Sequence, residues 1–170
     1  MNKESLDPRR WAKFYASMMH GNQKYAGHLP YTHHLAAVER VLVRYGVTDP
    51  DLLDASWLHD IIEDAGVKRN EIAEMFGERV ATLVFGVTNE PGENRKIRSA
   101  LTYPKIRSSA DFRILKLADR IANVEQGGKL VEMYRKEYAD FRRALYPYDE
   151  EAGETELSMW KRLDFLMDPN

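Results

Sequence analysis

The stretch Asp49-Pro50-Asp51-Leu52-Leu53-Asp54-Ala55-Ser56-Trp57-Leu58-His59-Asp60-Ile61-Ile62-Glu63-Asp64 carries most of the information in this chain. It opens as a helix start. Asp49 can accept from free backbone N–H groups of the first turn, and Pro50 suits the first helical position, where its missing N–H is not needed. The pattern predicts one helix running to Asp64 and stopped by Ala65-Gly66. At ~100° per residue, His59, Asp60, Glu63 and Asp64 share an arc of about 140° on a helix otherwise rich in leucine and isoleucine. Three of the four are acids near a helix C-terminus, where the macrodipole disfavours negative charge. A divalent cation between them is the economical remedy. A polar helix end facing solvent is the competing reading, and distant residues bear on the choice.

Outward from this segment the signals stay helical. A first helix is expected from Asp7 to Met19, capped by Asp7, with Trp11, Phe14, Tyr15 and Met18 on one face. Residues 22–31 read as a loop. Thr32 is a candidate cap for a second helix that faces Leu35, Val38, Leu42 and Tyr45 inward and stops at Gly46. A short helix follows over 70–76. The β-branched residues of 80–88 would suit a strand, but no partner strand is evident, so a helix is expected. Further helices are expected over 93–106, 111–126, 129–145 and 155–167. The acid-rich segment Asp149 to Glu156 reads as a solvated linker. The expectation is an all-α fold, a bundle of about eight or nine helices. Residues 1–128 would form the core and 129–170 a C-terminal helical extension packed on the same domain.

A chain of 170 residues suits a single domain, and 11% aromatic content supplies a real core. Twenty-five basic against 27 acidic residues leave a net charge of −2. That provides no whole-molecule positive field, so neither nucleic acid nor an anionic membrane surface is an expected partner. The absence of cysteine excludes disulfides, thiol nucleophiles, iron–sulfur clusters and cysteine-based zinc sites. Any metal site must therefore use His, Asp and Glu. No apolar run approaches the ~18 residues of a membrane span, and Met1 to Trp11 is too polar for a signal peptide, so a cytoplasmic location is expected. There is no GxGxxG, Walker A, GxSxG or HExxH motif.

Two remote residues strengthen the metal reading. Phe112, Leu115 and Ala122 lie seven and four before and three after Asp119, which sets it on an apolar face. A buried carboxylate needs a partner or a metal; Lys116, Arg120 or a distant arginine would be the alternative partner. Val38, Val41 and Tyr45 put His34 on an inward face in the same way. A lone inward histidine is usually a satisfied core residue. Together, however, His34, His59-Asp60 and Asp119 offer two imidazoles and two carboxylates, a set that suits Mn²⁺, with Fe²⁺, Zn²⁺ or Mg²⁺ as alternatives.

The order His, His-Asp, Asp resembles the HD-domain metal-dependent phosphohydrolases. Pro30-Tyr31-x-x-His34, His59-Asp60-x-x-Glu63-Asp64 and Lys116-Leu117-Ala118-Asp119-Arg120-x-x-Asn123 narrow the likeness to the hydrolase domain of RelA/SpoT-type proteins and the small alarmone hydrolases, from about Arg9 to Gln126. The resemblance implies an all-helical HD fold and a Mn²⁺ ion held by His34, His59, Asp60 and Asp119. It implies hydrolysis of the 3′-pyrophosphate of (p)ppGpp to GDP or GTP and pyrophosphate. Glu63 and Asp64 would be the acid–base pair, and Asn123 would face the nucleotide. The physics agrees with that division, because an ion can polarise a phosphoryl oxygen while adjacent acids move protons.

The sequence departs from the family at three places. Leu35 replaces the usual proline after the first ligand histidine, and Ala122 replaces a histidine. Tyr25 stands in the loop His20-Gly21-Asn22-Gln23-Lys24-Tyr25, where an arginine usually stacks on guanine. A tyrosine ring can also stack on a base, and Lys24 can reach a phosphate. Of the basic cluster Arg95-Lys96-Ile97-Arg98, the expected phosphate contact is Lys96 or Arg98, with Arg98 preferred. Readings that keep the metal but change the nucleotide stay open, as a 5′-nucleotidase or a phosphatase of a nucleotide such as NADPH. A non-catalytic nucleotide-sensing module stays open too. The segment beyond Gly127 would close one wall of the pocket or make a homodimer contact.

Overall fold

The computed structural model describes residues 8–128, 130–148 and 152–168. Its elements are α1 (Pro8–His20), β1 (Lys24–Tyr25), β2 (Leu29–Pro30), α2 (Thr32–Arg44), α3 (Pro50–Leu58), α4 (Ile61–Ala65), α5 (Arg69–Phe76), α6 (Glu78–Val87), α7 (Arg95–Arg107), α8 (Ala110–Gln126), α9 (Leu130–Leu145) and α10 (Glu154–Met167). The architecture is the all-α one the hydropathy pattern implies.

Helix α8 is the axis. Leu115, Leu117, Ala118, Ile121, Ala122 and Val124 are buried around its circumference, as expected of a helix covered on all sides. It packs against α2, α3, α6, α7, α9 and α10. Leu35, Val38 and Leu42 line the inner face of α2, and Leu58 ends α3 inside the same core. Each such side chain contributes ~1.5–3 kcal/mol on burial. Because α2, α3 and α8 cross in this core, His34, His59 and Asp119 arrive at one place. The segment that could have been a strand is α6. Its Gly86 lies against Phe112 of α8, where an added Cβ would come within 2.5 Å of the ring.

Several expectations need correction. The helix expected from Asp49 to Asp64 breaks at His59-Asp60 into α3 and α4. The Ser56 carbonyl, which an unbroken helix would offer to the Asp60 N–H, accepts instead from His59 Nδ1 at 2.8 Å. The 22–31 loop contains a two-residue antiparallel ribbon, with Lys24 opposite Pro30 and Tyr25 opposite Leu29. In α1 the buried stripe is Ala12, Ala16 and His20, while Phe14 and Met18 are exposed. Small residues let α1 approach α3 closely, and the large ones are pushed outward. Thr32 begins α2 and makes no capping bond; Tyr31 precedes it without one either. The cap expected at Asp7 lies outside the described residues. Glu156 belongs to no solvated linker. It is fully buried in α10 and accepts from Arg113 Nε at 2.7 Å and Nη2 at 3.2 Å. The acids at 149–151 lie outside the described residues.

Candidate metal centre and the cavity beside it

Four side chains from three parts of the chain meet. His34 comes from the first turn of α2, His59 and Asp60 from the α3–α4 break, and Asp119 from the middle of α8. His34 Nε2 lies 3.3 Å from Asp119 Oδ1 and 3.8 Å from Asp60 Oδ2. His59 Nε2 lies 3.0 Å from Asp60 Oδ2 and 3.8 Å from Asp119 Oδ1. His34, His59 and Asp119 each offer a ligand atom within 4.8 Å of the others.

The surroundings fit a cation. The bond to Ser56 holds the proton of a neutral His59 ring on Nδ1 and leaves Nε2 as a lone pair. That nitrogen is buried and has no hydrogen-bond partner. A lone pair aimed at two carboxylates is unfavourable unless a positive charge lies between them. Burial alone would lower the His59 pKa, but Asp60 and Asp119 outweigh it and push it up to about 9. Burial would likewise raise both carboxyls. His59 overcomes this at Asp60, and Lys116 with the two imidazoles overcomes it at Asp119, so both lie below the ordinary aspartate range.

Both carboxylates are held from behind. Tyr31 donates its hydroxyl to Asp60 Oδ2 at 2.5 Å. Lys116 Nζ donates to Asp119 Oδ2 at 2.9 Å, so the alternative partner weighed for Asp119 is present together with the imidazoles. Asn123 Nδ2 donates to Asp119 Oδ1 at 2.6 Å, and its own Oδ1 accepts from the Tyr25 hydroxyl at 2.9 Å.

Beside the cluster opens a cavity of about 820 Å³. His34, Asp60, Asp119 and Asn123 line it, and Lys24, Arg95, Arg98, Lys116 and Arg120 bring five basic side chains to its walls. Of the substrate contacts expected from sequence, Lys24, Tyr25, Asn123 and Arg98 all line the cavity, whereas Lys96 does not. Tyr25 does so with its ring face against His34, centroids 4.8 Å apart.

Glu63 and Asp64 are exposed on α4 and are not among the lining residues. Glu63 accepts from the Asn89 backbone N–H and from Asn89 Nδ2, both at 2.8 Å. Asp64 Oδ2 accepts from Gln23 Nε2 at 2.8 Å, and Gln23 Oε1 is 2.9 Å from His20 Nδ1. Asn89 and Gln23 were not legible in the sequence. Neither did any local pattern mark Tyr134 and Leu130, which line the cavity from α9. Tyr31 did carry a signal, sitting three residues before His34 and so one turn away.

A family model described as HD domain matches residues 12–146. The chain belongs to the HD-domain family. Among similar proteins, a guanosine-3′,5′-bis(diphosphate) 3′-pyrophosphohydrolase of Aquifex aeolicus is 37% identical over 136 residues, 78% of this chain and 19% of the relative. A GTP pyrophosphokinase rsh of Brucella suis is 32% identical over 142 residues, 79% of this chain and 19% of the relative. The chain thus spans about a fifth of the length of these two relatives. The guanosine-3′,5′-bis(diphosphate) 3′-pyrophosphohydrolase MESH1 of Danio rerio is nearer in size. It is 32% identical over 116 residues, 65% of this chain and 63% of the relative. In fold, the chain is similar to a metazoan ortholog of SpoT, with a TM-score of 0.76 at 23% identity over 94% of this chain and 95% of that one.

Proposed function

We propose that this HD-domain chain is a Mn²⁺-dependent hydrolase that removes the 3′-pyrophosphate of (p)ppGpp, giving GDP or GTP and pyrophosphate. The observation that carries this reading is the convergence of His34, His59, Asp60 and Asp119 beside a cavity that His34, Asp60 and Asp119 line and that has five basic side chains on its walls. The cavity volume of about 820 Å³ is in the range of small-molecule sites. The cationic wall suits a polyphosphate. The names carried by the Aquifex and Danio relatives point to the same substrate.

A divalent ion held by the four side chains would polarise a phosphoryl oxygen and lower the pKa of a nearby water. The protein then has to orient water and move protons. Water attacks the phosphorus next to the 3′ oxygen, the P–O3′ bond breaks, and pyrophosphate departs. The water loses a proton and the 3′ oxygen gains one. Asn89 donates to both oxygens of Glu63, which fixes the carboxylate in place, and a remaining lone pair on either oxygen can orient water. Asp64 has one oxygen engaged by Gln23, leaving the other to take up or release the proton. Within the cavity, Lys24, Arg98 and Asn123 are the contacts to the nucleotide. Residues 1–128 carry the chemistry, and the extension from 129 to 170 closes the wall through Leu130 and Tyr134.

One observation favours a second reading. Tyr25 already uses its ring on His34 and its hydroxyl on Asn123, so the guanine-stacking group of the family is missing. An HD-type phosphohydrolase of another nucleotide, such as a nucleoside monophosphate or NADPH, fits that departure. Incubation with Mn²⁺ and ppGpp, NADPH or nucleoside monophosphates, with products resolved by anion exchange, tests both. The expected result is GDP and pyrophosphate from ppGpp, abolished by chelator. Turnover of NADPH or a monophosphate with ppGpp untouched would reassign the substrate.

A further inference from the structure

We infer that Tyr25 is a positioning residue of the metal centre, holding His34 and Asp119 in register, rather than a platform for a nucleobase. The inference rests on the metal centre proposed above and concerns a residue with no counterpart among the ligands. The Tyr25 ring lies nearly parallel to the His34 imidazole, with centroids 4.8 Å apart and planes 25° from parallel. Tyr31, which bonds Asp60, meets the same ring edge-on at 6.2 Å. Tyr25 as a whole residue is 9% exposed, whereas stacking on a base needs an open ring face.

The hydroxyl reaches a second ligand through one intermediary. It donates to Asn123 Oδ1 at 2.9 Å. The Asn123 Nδ2 then donates to the Asp119 carboxylate at 2.6 Å and to the Asp119 carbonyl at 3.0 Å. Both of those partners are acceptors, so the amide orientation is fixed from both ends. Asp119 is thereby held on Oδ1 by Asn123 and on Oδ2 by Lys116. One side chain on a short ribbon therefore braces ligands from two different helices, α2 and α8. The pairing of Tyr25 with Leu29 across the ribbon sets its own position.

Groups that brace metal ligands from behind commonly change metal affinity by ~10–100-fold when removed. Tyr25→Phe keeps the ring and deletes the hydroxyl, and Tyr25→Leu deletes both. The Mn²⁺ dissociation constant is read from the electron paramagnetic resonance signal of free Mn²⁺, without nucleotide. The expected result is ~10-fold weaker binding for Tyr25→Phe and more for Tyr25→Leu. With nucleotide, kcat should recover as Mn²⁺ is raised, whereas KM can shift in either variant because Tyr25 also anchors Asn123, a proposed nucleotide contact. Mn²⁺ affinity equal to that of the unaltered protein overturns the inference, whether KM rises or not. Should Tyr25→Leu fail to fold by circular dichroism, Tyr25→Phe decides the matter. The affinity measurement needs no substrate, so a wrong nucleotide assignment leaves it intact. Failure of the unaltered protein to bind Mn²⁺ would overturn the metal centre and this inference with it.

Discussion

His59 shows how one hydrogen bond can turn a histidine into a candidate ligand. Its Nδ1 is spent on the Ser56 carbonyl, so Nε2 can serve only as a lone pair or as the seat of a proton. The same bond ends α3 and lets Asp60 leave the helical path. Sequence periodicity found both residues but placed them on a continuous helix, because propensity does not register a side chain competing for a backbone acceptor. His34 and Asp119 were legible as inward polar residues on apolar faces. The grips on Glu63 and Asp64 were not, since Asn89 and Gln23 are 26 and 41 residues away from them. Those grips lead to a prediction. Glu63→Gln and Asp64→Asn should each leave Mn²⁺ affinity close to that of the unaltered protein while lowering kcat by ~10²–10⁴-fold. Calorimetric titration beside turnover separates the two effects, and loss of metal together with activity in both variants would place these acids among the ligands instead.

At the scale of elements, α3 shows what a cap contributes. Asp49 accepts from the Asp51 N–H at 3.0 Å and pairs with Arg79. Burial would raise its carboxyl, but Arg79 and the backbone N–H outweigh that and hold it below the ordinary aspartate value of 3.8. Asp49→Ala should therefore cost ~1 kcal/mol at neutral pH through the lost cap, with little from the exposed ion pair. The sign follows from the lowered folded-state pKa. Stability from Asp49 is fully present above 3.8 and is lost as pH falls through the lowered value. Denaturant melts of both proteins at pH 7 and at strongly acid pH should show the gap closing in acid. An unchanged gap would mean that the charge makes no difference. Asp49 and Pro50 were readable because capping is local chemistry. The α1 face was misread because its burial depends on how closely α3 approaches, which favours Ala12 and Ala16 over Phe14 and Met18.

At the scale of the whole molecule, α8 ties the chemistry to the C-terminal helices. Arg113 near its start is buried against Glu156 of α10, while Asp119 and Asn123 serve the metal centre further along. Glu156→Ala would remove the buried carboxylate that Arg113 Nε and Nη2 donate to, leaving the Arg107 carbonyl on Nη1, and should destabilise the fold by up to ~3–5 kcal/mol. Replacing both partners by apolar residues, Arg113→Met with Glu156→Leu, should recover much of that loss. Chemical denaturation of the two variants tests this, and a double variant as unstable as the single one would contradict it. Charge density in the sequence suggested a solvated linker here, because the pairing spans 43 residues and nothing local announces it. The all-α bundle was legible from hydropathy and punctuation. The cavity was not, since its walls are drawn from the ribbon, α7, α8 and α9.

A divalent ion held by His34, His59, Asp60 and Asp119 is the centre of the proposed chemistry. Equilibrium dialysis against Mn²⁺, with elemental analysis of the protein, measures this directly. The predicted result is a single saturable ion per chain, lost in Asp119→Ala and in His59→Ala when both variants remain folded. Absence of bound Mn²⁺ in the unaltered protein, or the same stoichiometry and affinity in those variants, would contradict it.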